Sequence, residues 1–186
     1  MQNETLKVIR NRRSIRKYKE QQISDAEIKA IIEAAIYAPT GMNLQGWHFS
    51  VIQNPTLLEK MRSSLKENLR SKGNADQIKR ANDPSFVPFF NAPTVIAISA
   101  MKEDRFAQID GGIAVENIAL AAESLNIGSC IMTSSAMVFA GKNAGELKKE
   151  IGFPAGYEHV CMITLGYKDE TPSASERKEG TVNYVK

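Results

Sequence analysis

Residues 109–126, IDGGIAVENIALAAESLN, constrain the fold more than any other stretch of the chain. The segment reads as a long helix, with Ile113, Val115, Ile118, Leu120 and Leu125 spread widely around its axis. A helix that is apolar on most sides must be covered on most sides, in a core or between subunits. At 186 residues the chain is long enough to supply a full core, and it is read as one domain spanning 1–186.

Elements of both kinds surround that helix. Residues 4–11 read as a short helix. In ISDAEIKAIIEAAIYAPT, Ser24 and Glu27 form a capping box, Ile28, Ile31, Ile32 and Ala35 follow helical spacing, and Pro39 marks the stop. Further helices are expected at 56–70 and 143–151. Strands are expected at 47–53, 92–100, 128–135 and 159–167, with a short strand-like end at 182–185. The polar stretch 66–85 reads as a frayed helix and an exposed, mobile loop. It runs into Phe86, Phe89 and Phe90, which are either a lid on a substrate or core anchors. Interspersed helices and strands make the class α+β or α/β, and periodicity does not fix the strand order.

Charge is distributed unevenly. Residues 10–19, RNRRSIRKYK, hold Arg10, Arg12, Arg13, Arg16, Lys17 and Lys19 and no acid. The whole chain carries +3, yet the chain without this run has 18 basic against 21 acidic residues. Such a local excess argues against nucleic acid as the partner, and Tyr18 is alone where a stacking platform would need several aromatics. Cys130 and Cys161 have no CxxC spacing, which suits a reducing, cytoplasmic setting. No apolar run approaches the ~20 residues of a membrane helix, and MQNETLKVIR lacks the apolar core of a signal peptide.

Motifs for catalysis by the protein itself are missing. GxGxxG, GxxxxGK[ST], HExxH, GxSxG and CxxC are absent, and SxxK matches such as those at Ser14 and Ser63 have no companion SDN or KTG in the chain. His48 and His159 are too few for a metal centre, and each reads as a surface or hydrogen-bonded core histidine. Both cysteines read as small buried hydrophobes. No catalytic residue and no metal ligand is assigned. Any chemistry is therefore brought by a bound organic group that the protein positions.

Four segments then fall into a recognisable order. NRRSIRKY (11–18), APTGMNLQGWHFSVI (38–52), NIGSCIMTSSAM (126–137) and RKEGTVNY (177–184) together resemble the nitroreductase family of FMN-dependent oxidoreductases. The resemblance implies an α+β subunit with a mixed, mainly antiparallel sheet wrapped by helices. It also implies a homodimer with FMN in the interface. NADH or NADPH would be the electron donor, and a nitroaromatic, quinone or similar small molecule the acceptor, in ping-pong order. Flavin N5 would carry the hydride.

The site residues follow from the same resemblance. Arg12, Arg13, Ser14 and Arg16 match its phosphate and ribityl contacts, and forked guanidinium donors suit a dianionic phosphate. Arg16, two positions beyond Ser14 in an extended segment, would share its side and reach the polar edge of the flavin. Pro39, Thr40, Gly41, Asn43 and Gln45 match the segment that reaches the partner chain's flavin, although the family often has serine at 40 and proline at 46. Ile131, Met132, Thr133 and Ser134 match the loop that packs on the flavin ring, where the family commonly has an aromatic residue and glycines. Arg177 and Lys178 match a basic pair that closes on the phosphate.

Overall fold

The computed structural model describes residues 3–186. Four strands, β1 (Trp47–Ile52), β2 (Thr94–Met101), β3 (Ile127–Met132) and β4 (Tyr157–Tyr167), form one sheet in the order β1-β2-β4-β3. Every neighbouring pair is antiparallel. The parallel element is a single bridge from Ser14 to Ser129, outside the named strands. β1 and β3 are therefore the two edges. The β2–β4 register shifts between Ile98 and Ser99, leaving Val160 as the extra residue of a bulge.

Alternation along the central strands sends side chains to two cores. Ile96, Ile98, Ile163 and Leu165 face α2 (Asp25–Ile36) and α5 (Ala107–Ser124), where they meet Ile31, Ala35, Val115, Ile118 and Ala122. Val95, Ala97 and Met162 face α3 (Pro55–Lys72), the 133–139 turn and α6 (Ala144–Ile151). There Leu58, Met61, Leu65, Val138, Leu147 and Phe153 complete the second core. Covering both faces explains why β2 is buried from Thr94 to Ala100 and reads as a nearly continuous apolar run, with Thr94 and Ser99 its polar members. Each fully buried Ile or Leu contributes about 1.5–3 kcal/mol, so truncating one at the sheet centre is costly.

The long helix is one-sided in this subunit. Gly111, Ala114, Val115, Ile118 and Ala122 of α5 are buried, while Ile109 stays 66% and Ile113 37% exposed. The capping box at Ser24 forms as expected, with the Ser24 hydroxyl accepting the Glu27 amide and Glu27 accepting the Ser24 amide.

Three expectations are corrected. Residues 66–85 continue α3 to Lys72 and then form α4 (Ala75–Asn82), which a second capping box between Asn74 and Gln77 starts. Residues 182–185 form no strand and are exposed. The 128–135 segment is a strand only to Met132, after which Thr133–Phe139 turns as a 3-10 helix.

Candidate functional site

The basic run owes its shape to two anchors. Ile15 is 2% exposed and donates its amide to Ser129 O of edge strand β3 (2.8 Å). Gly128 leaves room for it, since a Cβ there would lie 2.9 Å from Ile15 Cγ2. Tyr18 is the second anchor. Its hydroxyl donates to Ile15 O (2.6 Å) and meets Thr164 Oγ1 (2.8 Å), and burial pushes the phenol well above its ordinary pKa. Lys19 N then bonds Tyr167 O (3.0 Å). With Ile15 turned inward, Ser14 and Arg16 both remain outside on the same cleft, as the extended pattern requires.

That cleft, about 280 Å³, brings together Arg12, Arg13, Ser14, Arg16 and Arg177, closed by Pro172, Ser173 and Ser175 of the C-terminal segment. Four guanidiniums and a hydroxyl around one small space fit a polyanion of phosphate size. Arg13 Nη1 is held by Arg10 O (2.6 Å) and Arg12 O (2.8 Å). Arg12 Nε sits 3.2 Å from Glu116 on α5, so part of the guanidinium remains for another acceptor. Lys17 pairs with Asp169 (2.8 Å), and Arg16 N donates to Glu170 Oε1. Lys178 is exposed and outside the cleft.

Pro39, Thr40, Gly41, Asn43 and Gln45 form the turn between α2 and β1, at the opposite edge of the sheet. Thr40 Oγ1 accepts Gln45 N (3.0 Å), and Asn43 Oδ1 accepts Gln45 Nε2 (3.2 Å). Met42, Asn43 and Gln45 have left-handed φ values of 54°, 55° and 50°. Such backbone persists only when its surroundings over-determine it. Both oxygens of buried Asp110 accept the Gly41 amide (3.1 Å each), and the Phe106 ring would meet a Cβ on Gly41 at 2.5 Å. Met42 and Leu44 stand out from the turn, 77% and 56% exposed.

Ile131, Met132, Thr133 and Ser134 lie where β3 runs into its 3-10 turn. Met132 packs in the core and offers only its backbone, whereas Thr133 is exposed. Buried Ser135 donates to Met132 O, so its oxygen accepts from His159 Nε2 (2.9 Å). Burial and then Lys148 lower the His159 pKa to about 4, which keeps the imidazole neutral. His48, expected on the surface or satisfied, instead has a buried Nδ1 with no partner. Burial pushes both thiols up, Cys161 to about 12, so neither supplies a thiolate near neutral pH.

Asp110, Phe106 and Glu116 were not singled out from the sequence, although all belong to the helix signal or its approach. Among the described residues no group of three or more His, Cys, Asp or Glu side chains could hold a metal, and no helix is long and apolar enough to cross a membrane.

Comparison with known proteins points one way. The model of the Nitroreductase family matches residues 9–167. An Archaeoglobus fulgidus protein, provisionally named NADH dehydrogenase/NAD(P)H nitroreductase, is 34% identical over 90% of this chain and 87% of its own. A Desulfitobacterium hafniense nitroreductase crystallised with bound FMN superposes over 100% of both chains, with a TM-score of 0.94 and 35% identity. A Bacteroides fragilis nitroreductase, also with bound FMN, covers 100% of both chains with a TM-score of 0.91 and 30% identity.

Proposed function

Because this chain belongs to the nitroreductase family, we propose that it is an FMN-dependent oxidoreductase. It takes electrons from NADH or NADPH and passes them to a nitroaromatic, quinone or similar small acceptor in ping-pong order. The carrying observation is the cleft where Arg12, Arg13, Ser14, Arg16 and Arg177 converge from segments more than 160 residues apart in sequence.

The flavin, when bound, supplies the hydride chemistry, and the protein supplies position and charge. Arg12, Arg13, Ser14 and Arg177 hold the phosphate, with Lys178 adding charge nearby. Arg16 lies at the end of the cluster and favours negative charge on the ring's polar edge. Backbone groups of Ile131, Met132, Thr133 and Ser134 border the ring. Pro39, Thr40, Gly41, Asn43 and Gln45 serve the partner subunit's site.

That last assignment makes the working unit a homodimer of single-domain chains, and the unpaired Cys130 and Cys161 favour a reducing, cytoplasmic setting. Its support is topological: the 39–45 turn precedes one sheet edge, while the basic run lies along the other. Apolar Met42, Leu44, Ile109 and Ile113 around that turn also need cover. The test is a visible spectrum of the purified protein with FMN, followed by anaerobic NADPH and then NADH. Yellow protein that bleaches is expected. Protein that takes up no FMN would overturn the proposal, and yellow protein that never bleaches would reduce it to flavin binding.

A further inference from the structure

Arg16 stands between two clefts. One is the basic cleft described above. The other, of about 530 Å³, runs between Arg16, Lys17 and Tyr18 on one side and Arg80, Asp83, Phe86 and Phe90 on the other. Arg16 is the one lining residue that the two clefts share.

Its charges are not all spent. Lys17 is paired with Asp169 (2.8 Å). Asp83 is turned onto its own loop, accepting from Ser85 N (2.8 Å) and Ser85 Oγ (2.7 Å). The guanidiniums of Arg16 and Arg80 have no carboxylate partner among the described residues. Each lies over an aromatic ring instead, Arg16 at 5.9 Å from the Phe90 centroid and Arg80 at 4.8 Å from that of Phe86. A guanidinium braced on a ring is held in place and keeps N–H donors for an oxyanion.

The backbone under the aromatic wall is strained. Phe89, Phe90 and Asn91 have φ values of 56°, 55° and 53° in succession. Left-handed non-glycine residues are strained and gather at ligand and active sites. Core packing accounts for Phe89, which is fully buried. Phe90 is half-buried, packing against that core on one side and lining the cleft on the other.

We infer that this cleft is a subsite for a planar ring carrying an acidic group, with the ring on Phe86 and Phe90 and the acid on Arg80. The inference rests on the oxidoreductase reading and names the ligand class of that site. Two sources share this chemistry: an aromatic carboxylate as acceptor, and the phosphorylated adenosine end of NADPH.

The experiment compares wild type, Arg80→Ala and Arg80→Lys, each loaded with FMN. KM is measured for para-nitrobenzoate against nitrobenzene, and for NADPH against NADH. Para-nitrobenzoate binding is also titrated calorimetrically on the chain with and without FMN. Arg80→Ala should raise KM about tenfold for the charged member of one pair and leave its neutral or unphosphorylated counterpart unchanged. The pair that responds names the source, and Arg80→Lys should recover part of the loss. Equal shifts within both pairs, or none in either, would overturn the subsite. Should the protein take up no FMN, the parent reading fails instead. The flavin-free chain, titrated in the same way with para-nitrobenzoate and with NADPH, then decides, Arg80-dependent binding of either supporting the subsite and lack of both overturning it.

Discussion

Asp110, in the first turn of α5, places both carboxylate oxygens 3.1 Å from the amide of Gly41, sixty-nine residues earlier in the chain. A buried carboxyl group turned onto a single backbone donor is uncommon, and here it holds a turn of left-handed residues that is otherwise mostly exposed.

Asp110→Ala should therefore destabilise the protein by about 1–3 kcal/mol, the cost of stranding the Gly41 donor. Asp110→Asn keeps an acceptor and should lose less. Urea denaturation of the two variants checks the order, and an equal loss in both would mean that charge rather than the hydrogen bond matters.

Gly41→Ala tests the same turn from the other side. Its Cβ would sit 2.5 Å from the Phe106 ring. Crowding of this kind costs about 1–3 kcal/mol. Combining it with Phe106→Ala should recover part of that loss, and a double-mutant cycle measures the coupling. Strict additivity would show that the ring and the turn are independent.

Arg12→Ala should separate binding from folding. Its ion pair with Glu116 is partly exposed and worth under about 1 kcal/mol. A charge-assisted bond to phosphate is worth about 1.5–3 kcal/mol, or roughly 10- to 100-fold in affinity. FMN titration should weaken by that factor while the unfolding midpoint barely moves. Unchanged flavin affinity would remove Arg12 from the phosphate site.

His159 gives the protein an acid-side weakness. Its pKa falls from 6.5 to about 4 on folding, chiefly through burial. Between those values the unfolded chain holds the extra proton, so stability decreases as pH falls from 6.5 toward 4 and levels off below. The shift corresponds to about 3 kcal/mol. His159→Gln should flatten that part of the stability profile, and a profile of unchanged slope would assign the acid sensitivity elsewhere.

Dimerisation should persist on dilution if Ile109, Ile113, Met42 and Leu44 are covered by a second chain. Sedimentation at decreasing concentration checks it. Ile109→Lys, at a position 66% exposed in the subunit, should shift the equilibrium toward monomer without unfolding it.

Much of the fold was legible because local signals agreed. Ser24 with Glu27 starts α2, and the mainly apolar run from Thr94 to Ala100 is a strand buried on both faces. The α4 helix was missed because a charged 66–85 segment hides its signal; only Asn74 and Gln77, spaced as a capping box, mark it. In the site, Arg12 to Arg16 were readable as a charge cluster. Asp110 and Phe106 were not, because their roles depend on α5 passing beneath a turn that is distant in sequence. Glu170 shows the same blindness, as it meets Arg16 across 154 residues.

The Ile15 amide meets Ser129, the Lys19 amide meets Tyr167, and Arg177 closes the basic cleft. Contacts this distant in sequence form only after long loops close. The four guanidiniums therefore come together only once segments more than 160 residues apart have docked, which ties the cleft to the completed fold rather than to any local element.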